Sequence, residues 1–204
     1  MAHAVRNLIV DGSLRDGARI NEVSLSEELG ISRTPLRDGL TQLVGDGIVY
    51  KAPKRGFFVA PMTLDEFNEI YDIRPILDPE ALRMAGVPNQ SNIEKLRKLN
   101  RRMRDAKTAS KAIDLDNQWH LSLLEQCPNS ILVDLIRNLM GRTRRYEYAL
   151  FRETTHVWIA GDEHDQILDA LADAQLRRAC QMLRQNMRTG AEPIREWLRA
   201  RVSA

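Results

Sequence analysis

The sequence predicts a mainly α-helical protein in two parts, a small N-terminal domain of short helices ending in a β-hairpin and a C-terminal all-helical bundle. Up to about residue 62, helical patterns are short, are broken by frequent glycines and end in a β-prone run. Beyond that point glycine is sparse, and long segments repeat apolar residues at helical spacing. The 204 residues are 43% hydrophobic and 28% charged, which is ordinary for a globular protein.

The boundary between the two parts is predicted at Pro61–Met62–Thr63, which has the character of a linker. Thr63 is a candidate helix N-cap, and Glu66 lies three residues later at the capping-box position. We therefore expect one domain over residues 1–62 and a second over residues 63–204.

Two short helices are predicted first. One repeats apolar residues over 4–9 and ends at Gly12. The next is expected to begin at an N-cap Ser24, with Glu27 completing a capping box. It should stop at Gly30, because glycine suits the left-handed turn that follows many helices.

A third helix and a hairpin follow. Thr34 and Pro35 open this helix, because a proline at the first helical position loses no hydrogen bond. The β-prone runs 48–50 and 57–59 are joined by a turn over 51–56, which predicts a hairpin. The predicted order is therefore helix, short helix, helix and hairpin.

The second domain is expected to be helical throughout. Its apolar periodicity and the prolines near its breaks predict helices over 64–86, 91–110, 111–126, 129–152, 157–172, 175–189 and 193–202. Gly161 is a candidate interruption of the fifth of these helices.

The start of the third helix has the chemistry of a DNA-reading element. In a helix-turn-helix, the second helix of the pair enters the major groove and reads base edges near its N-terminus. Arg33 and Arg37 lie about one turn apart, and each guanidinium can bind a guanine edge or a phosphate. Ser32 and Thr34 offer hydroxyls to phosphates.

The predicted hairpin carries a basic tip at Lys54 and Arg55, followed by Gly56, which lets the backbone approach a groove wall. Taken singly, such a tip is more often a solvated turn, and the motif at 32–37 is more often a capped helix start. Bulk charge gives no support, since the formal net charge is only +2. The order of the elements is what indicates DNA binding.

This stretch resembles the N-terminal domain of the GntR family of regulators. The resemblance rests on LSEELGISRTPLRDGL at 25–40 and RGFFV at 55–59. It implies that the side chains at the start of the third helix contact operator bases and phosphates, and that the wing glycine enters the minor groove; these are Ser32, Arg33, Thr34, Arg37 and Gly56. Gly39 departs from the family pattern, and a glycine within a helix is expected to cost about 1 kcal/mol relative to alanine.

The second half is similar to the FCD domain of the FadR subgroup. The similar segments are IYDIRPILD at 70–78, DNQWH at 116–120 and EHDQILDA at 163–170. The resemblance implies a small carboxylate effector bound among the helices, with Arg74 near its pocket. The other reading of Arg74 is a salt bridge with Asp78 four residues later.

The same segments suggest a divalent metal site for Zn or Ni. Asp116 and His120 emerge on one helical face, and His164 would come from a second helix. Where many FCD domains place a further histidine, this chain has Asn186, whose amide is a weaker ligand. Either the site keeps a weaker or different metal, or it binds its effector without one. On spacing alone, Asp116 with His120 is more often a hydrogen bond, and His164 more often structural.

Other charged and aromatic residues have simpler interpretations. The basic residues of 91–111 surround an apolar stripe and are read as a solvated helix face, with phosphate contact as a lesser option. The segment 142–145 is read as surface or pocket-rim charge. His156 and Trp158 are candidate pocket residues. Cys127 and Cys180 are expected to be free buried thiols, since their spacing fits no metal or redox motif.

The sequence thus predicts a homodimeric transcriptional regulator, most simply a repressor, that binds a palindromic operator and responds to a small organic acid. It is expected to be cytoplasmic and not membrane-bound, because it lacks both a signal peptide pattern and a membrane-length apolar run. It is not expected to be an enzyme, because no nearby carboxylate is evidently placed as a general base and an enzyme would not need the DNA-reading element. Two rivals stay open. One is a metalloenzyme in which Asp116, His120 and His164 activate water, and the other is a dimerisation module with a vestigial pocket.

Overall fold

The structure, a computed structural model, describes residues 1–153 and 160–202. The elements in this part of the chain are α1 (Ala2–Val10), α2 (Glu22–Glu28), α3 (Arg33–Gly45), β1 (Val49–Ala52), β2 (Gly56–Val59), α4 (Leu64–Ala85), α5 (Gln90–Arg104), α6 (Ala109–Leu123), α7 (Ser130–Glu153), α8 (Ala160–Ala172) and α9 (Leu176–Val202). The predicted fold class, a helical protein with a small hairpin after its third helix, is confirmed.

The N-terminal elements enclose one apolar core. Helix α1 packs on α3, and the hairpin pairs antiparallel with Val49 opposite Val59. The segment before α2 adds a short third edge, since Ile20 N donates to Phe57 O at 2.9 Å. This edge was not foreseen. The fully or nearly fully buried side chains of this core include Val5, Leu25, Leu36, Leu40, Leu43, Ile48 and Phe57.

Two of the predicted helix starts are wrong by a few residues. Helix α2 is capped by Asn21, whose Oδ1 accepts from Val23 N at 3.1 Å, so Ser24 lies inside the helix. Helix α3 begins at Arg33 after Ser32, which moves Pro35 to the third helical position. Proline is harmless there as well, because the first turn of a helix has no internal acceptor for its N–H groups.

The close packing of α1 on α3 explains why position 39 is a glycine. A Cβ at this position would lie 3.0 Å from the backbone nitrogen of Ala2 and 3.0 Å from Met1 Cγ. The start of α1 therefore approaches α3 more closely than an alanine would allow. The low helix propensity of glycine is offset by this close packing of two helices.

Helix α4 begins as predicted, with Thr63 Oγ1 accepting from Glu66 N at 3.1 Å. It continues through two internal prolines. Pro79 has no N–H for the carbonyl of Pro75 four residues earlier. Arg184 of α9 supplies the missing donor, since its Nε lies 2.9 Å from Pro75 O.

Helix α9 contradicts the prediction of two helices separated at Pro193. It runs unbroken from Leu176 to Val202 with Pro193 inside. Beyond the proline, Ile194 and Leu198 are buried against Phe67 and its neighbours on α4. Burial of this apolar face stabilises the helix by more than the roughly 3 kcal/mol that an internal proline costs.

The C-terminal bundle packs α4 on α9, α8 on α9 and α5, and α6 on α5 and α7. Gly161 lies in the first turn of α8 and does not interrupt it, whereas the predicted start at 157 lies outside the described residues. Cys127 and Cys180 are free but only half-buried. Among the helices described, none is long and apolar enough to cross a membrane.

Candidate functional site

A cavity of about 100 Å³ lies within the C-terminal bundle. Helices α4, α6, α7, α8 and α9 all contribute to its wall. Its polar and charged lining residues are Tyr71, Arg74, Asp116, Asn117, His120, Glu147, Glu163, Asn186 and Thr189. Four residues predicted from the sequence, on three separate helices, therefore meet around one small space: Arg74, Asp116, His120 and Asn186.

The predicted carboxylate and imidazoles converge at this cavity. Each of Asp116, His120 and His164 offers one ligand atom within 4.8 Å of the others. His164 Nε2 lies 3.5 Å from Asp116 Oδ1, and His120 Nε2 lies 3.8 Å from Asp116 Oδ2. All three side chains are buried, and His164 is fully enclosed behind the cavity wall.

Both imidazoles are neutral. Burial, followed by the positive charge of Arg104, lowers the pKa of His164 to about 3. Burial, followed by His164 and Arg74, lowers the pKa of His120 well below its ordinary value. Their contacts with Asp116 are therefore not ion pairs, and a neutral imidazole is the form that binds a metal.

The Asn186 amide is oriented so that its oxygen can bind a cation or accept a hydrogen bond. Its Nδ2 donates to Glu163 Oε2 at 2.7 Å, and a carboxylate can only accept. The amide Oδ1 is buried and has no hydrogen-bond partner among the described residues, and the same holds for His164 Nε2. Buried lone pairs of this kind need a cation or a donor. A carboxylate, two neutral imidazoles and an amide oxygen fit a divalent metal such as Zn or Ni.

Arg74 pairs with Asp78 and also lines the cavity. Its Nη2 donates to Asp78 Oδ2 at 2.7 Å, with both side chains buried, and its guanidinium also borders the cavity. Burial acts to lower the pKa of Arg74, but Asp78 raises it overall, so the group stays charged. The cavity therefore has a permanent cation in its wall.

Sequence reasoning missed further residues of this site, among them Glu147 and Asn100. Glu147 lines the cavity, and burial raises the pKa of its carboxyl group. Asn100, on α5, is buried behind His164, with its Oδ1 3.2 Å from His164 Nδ1. Each occupies a position on an apolar helical stripe, as Asn100 does between Leu96 and Met103. A lone polar residue at such a position is the signal that could have found them.

The predicted DNA-contacting residues form an exposed surface at the start of α3. Ser32, Arg33 and Thr34 are exposed there, while Leu36 and Leu40 beneath them are fully buried. Ser32 is the N-cap residue but makes no capping hydrogen bond with its side chain. Its hydroxyl is thus not engaged by the helix.

Arg37 is held in place by an ion pair. Its Nε donates to Glu22 Oε2, and its Nη2 to Glu22 Oε1 at 3.3 Å. The hydrogen bond from Arg37 is the main cause of a lowered pKa for Glu22. The guanidinium of Arg37 is nevertheless more than half exposed, so the pair orients it at the surface.

The hairpin tip has an unusual backbone. Lys54 adopts φ +61° and Gly56 φ +92°, both in the left-handed region. Arg55 N donates to Ala52 O at 3.1 Å, which closes a tight turn with Lys54 at its third position. The predicted basic tip is therefore exposed on a strained turn, with the Arg55 guanidinium over the Phe58 ring.

The two other basic segments differ from the sequence interpretation. On α5, Arg97 pairs with Asp169 at 2.6 Å and Arg104 with Asp162 at 2.7 Å, so part of this face binds α8. Arg145, expected at the surface or at a pocket rim, is buried. His156 and Trp158 lie outside the described residues.

Arg145 belongs to a group of side chains around the linker, which we name the linker network: Glu66, Arg142, Arg145 and Tyr146. Glu66 accepts from Arg142 Nη2 at 2.7 Å, from Arg145 Nη2 at 2.5 Å and from the Tyr146 hydroxyl at 2.5 Å. Arg145 also donates to the carbonyl groups of Ala60 and Pro61. Helix α7 thus binds both α4 and the backbone between the domains.

A basic reading helix with a wing, joined to a bundle that encloses a small charged cavity, defines a two-domain DNA-binding transcriptional regulator. The comparisons identify its family. Residues 1–59 match the bacterial regulatory proteins of the gntR family, and residues 69–189 match the FCD domain. The chain belongs to the GntR family and carries an FCD effector-binding domain.

Known relatives agree with this assignment. The chain is 28% identical to the Nta operon transcriptional regulator of Aminobacter aminovorans over 169 residues. This aligned region covers 81% of the chain and 79% of that relative. It is 30% identical over 165 residues to the Glc operon transcriptional activator of Escherichia coli K12, covering 68% of the chain and 64% of the relative. The solved structure of E. coli McbR/YncC has the same fold, with a TM-score of 0.83 at 21% identity over 96% of this chain and 95% of that one.

Proposed function

We propose that this protein is a cytoplasmic, homodimeric repressor whose hold on a palindromic operator is controlled by a small carboxylate effector bound with a divalent metal. The observation that carries the effector part is the meeting of Asp116, His120 and His164 beside a cavity that also exposes the Arg74 cation. These groups supply what a small anion needs in a closed space.

Asp116, His120 and His164 would hold the metal, with the Asn186 oxygen as a further candidate ligand. A divalent ion bound there would supply positive charge and open coordination positions for a carboxylate oxygen. The neutral state of both imidazoles favours this, because no proton has to leave them before a ligand bond forms. The proposal assigns binding, not turnover, to this cavity.

With the proposed metal bound, the cavity would select for small anions by charge and size, because the metal would offset the lining carboxyl groups of Asp116, Glu147 and Glu163. Arg74 is already paired with Asp78, so it contributes orientation as well as charge to a second anion. About 100 Å³ admits a molecule of only a few non-hydrogen atoms. A short-chain organic acid meets both conditions.

Helix α7 offers a route from the cavity to the DNA-binding domain. Met140, Glu147 and Leu150 line the cavity, and Arg145 and Tyr146 on the same helix belong to the linker network. A displacement of α7 on effector binding would change the contacts that hold the linker. The effector can alter DNA affinity only by the difference in its affinity for the two arrangements.

We assign DNA contacts to Ser32, Arg33, Thr34 and Arg37 on α3 and to Lys54, Arg55 and Gly56 on the wing. Two copies of this surface in a dimer would read the two halves of a palindrome. Repression is the simpler consequence of operator binding, although the E. coli relative named above is an activator by name.

The proposal is tested in three measurements on the full chain. Selection from a random duplex pool should yield a palindromic sequence, and Arg37→Ala should lose preference for it while the protein keeps its thermal stability. Zinc and nickel uptake is then measured by elemental analysis. Finally, a panel of short carboxylic acids is screened for thermal stabilisation and for release of the selected DNA.

Three results would overturn the proposal in separate parts. Full operator affinity in Arg37→Ala would contradict the assigned reading surface. Absence of metal after loading would remove the metal, and absence of stabilisation by any acid would indicate a cavity without a ligand function. Turnover of an acid by the purified protein would favour a metalloenzyme instead.

A further inference from the structure

Asn100 makes three hydrogen bonds that join α5 to the metal-site helix α8. Its Nδ2 donates to Gly161 O at 2.8 Å and to Asp165 Oδ1 at 2.9 Å. Its Oδ1 lies 3.2 Å from His164 Nδ1. The side chain is almost completely buried, at 1% exposure, so these bonds do not compete with bulk water.

The two acceptors determine which way the Asn100 amide faces. A carbonyl and a carboxylate oxygen can only accept, so the NH₂ group must point to Gly161 and Asp165. The amide oxygen is then the atom that faces His164. An amide oxygen cannot donate, and therefore the proton of this hydrogen bond belongs to His164 Nδ1.

The other ring nitrogen of His164 is turned toward the candidate ligands. With Nδ1 protonated, the neutral ring carries a bare lone pair on Nε2, 3.5 Å from Asp116 Oδ1. The ring plane is also fixed, since it stacks on Trp119 with centroids 3.7 Å apart and planes 5° apart. One neighbour sets the ring plane and the other sets the position of its proton.

We infer that Asn100 is a positioning residue that holds His164 in the Nδ1-protonated tautomer and so presents Nε2 as a ligand. Support of this kind, from a residue behind the ligand, is typical of histidines that bind metals in proteins. The expected effect on metal affinity rests on the proposed function, whereas the tautomer itself does not depend on it.

The tautomer is measured directly in the metal-free full chain. Long-range proton–nitrogen correlation spectra in the presence of a chelator distinguish a protonated ring nitrogen from a bare one, and the His164 signals are assigned by their loss in His164→Gln. The expected result is a protonated Nδ1 and a bare Nε2. A protonated Nε2 in the wild-type protein would overturn the inference.

Substitution of Asn100 then tests whether this residue determines the tautomer of His164. Asn100→Leu has similar volume and no acceptor, so His164 should populate both tautomers and Zn²⁺ affinity, measured by chelator competition, should fall by about 10- to 100-fold. Asn100→Gln keeps both the amide acceptor for His164 and the NH₂ donor for Gly161 and Asp165, so it should keep the tautomer and provides a second variant if the leucine variant folds poorly. Asn68→Leu makes the same change on α4, where Asn68 accepts from Arg195 and has no other side-chain partner in the described part of the chain, and should alter neither property.

Retention of the wild-type tautomer and Zn²⁺ affinity in Asn100→Leu would overturn the inference, as would complete loss of the tautomer in a folded Asn100→Gln. A wild-type protein that binds no metal but shows the bare Nε2 would remove the metal from the proposed function and leave the role of Asn100 standing. Failure of the proposed metal binding and failure of the inferred role of Asn100 can thus be distinguished.

Discussion

Arg145 on α7 and Glu66 on α4 form an ion pair directly beneath the linker, with Arg145 Nη2 2.5 Å from Glu66 Oε2. Arg145 is 3% exposed and also donates to the carbonyl groups of Ala60 and Pro61. The connection between the two domains is therefore a hydrogen-bonded structure, not a free tether. This makes the linker network the physical link through which the bundle can act on the DNA-binding domain.

Arg145→Leu should destabilise the protein and uncouple its domains. Glu66 keeps Arg142 and Tyr146 as partners, but two backbone carbonyls lose their donor, at a cost of about 1–3 kcal/mol. Scanning calorimetry should show two unfolding transitions in place of one, with the first at a lower temperature than the wild-type transition. Arg137→Leu changes an exposed arginine of the same helix, which within residues 1–153 and 160–202 pairs with Asp134 alone, and should leave one transition. A single transition at the wild-type temperature for Arg145→Leu would contradict the role of the linker network.

Glu22→Gln should weaken the discrimination between operator and random DNA. The carboxylate orients Arg37, so its loss lets the guanidinium bind any nearby phosphate. Loss of one negative charge should raise affinity for random duplex by about 1 kcal/mol, close to fivefold. The ratio of operator to random affinity should fall, as read by fluorescence anisotropy on both duplexes.

Glu27→Gln is the matched control, because Glu27 is exposed on the same helix α2. It removes the same charge from the same short helix without touching Arg37. If the affinity ratio changes equally in both variants, general electrostatics explains the effect and the orienting role of Glu22 is wrong.

Lys54→Gly should stabilise the protein while weakening its binding to DNA. Lysine in the left-handed region costs about 1 kcal/mol that glycine avoids. The substitution also removes one phosphate contact, which should reduce the salt dependence of DNA affinity by a slope of about 1. Arg55→Gln removes a charge without relieving strain, so it should weaken binding with no gain in stability. A Lys54→Gly variant with unchanged salt dependence would show that Lys54 does not contact DNA.

The elements were predictable where the signal is local. Gly30 takes the left-handed conformation that ends a helix, as its position indicated. Ser24 failed as an N-cap because Asn21 offered an equally suitable side chain three residues earlier. Pro193 failed as a break because burial of Ile194 and its neighbours on α4 outweighs the local cost of proline. Packing between segments distant in sequence cannot be predicted from a short stretch of residues.

The candidate site was predictable only in part. Asp116 and His120 share a helical face, so their pairing follows from spacing alone. The meeting with His164 came from family resemblance, since it depends on how α6 packs near α8. The role of Asn100 could not be predicted from the sequence either, because its hydrogen-bond partners lie more than 60 residues away along the chain. The position of the domain boundary at 61–63 stays a prediction.

Substitutions at the cavity should move metal affinity in opposite directions. His164→Gln removes an imidazole ligand and should lower Zn²⁺ affinity by more than the roughly 100-fold that loss of a supporting residue costs. Asn186→His replaces an amide with imidazole, a better ligand for Zn²⁺ or Ni²⁺, and should raise affinity by about tenfold or more. Chelator competition measures both, with Thr189→Val as a control that changes the cavity wall without changing a proposed ligand. Equal affinity in all three variants would exclude these residues as ligands.

The metal-free protein should lose stability as the pH falls from 7 to 5. The pKa of His164 is about 3 and that of His120 is also lowered in the folded state, in both cases mainly by burial. The unfolded chain takes up protons at these two residues below about pH 6.5, whereas the folded chain does not, so the free energy of unfolding decreases. The slope should approach about 1.4 kcal/mol per pH unit for each imidazole. Urea titrations in chelator should show this slope in the wild-type protein and in His3→Gln, where the exposed His3 is removed, and a much smaller one in the double variant His120→Gln with His164→Gln. A slope that survives in the double variant would assign the acid sensitivity to other groups.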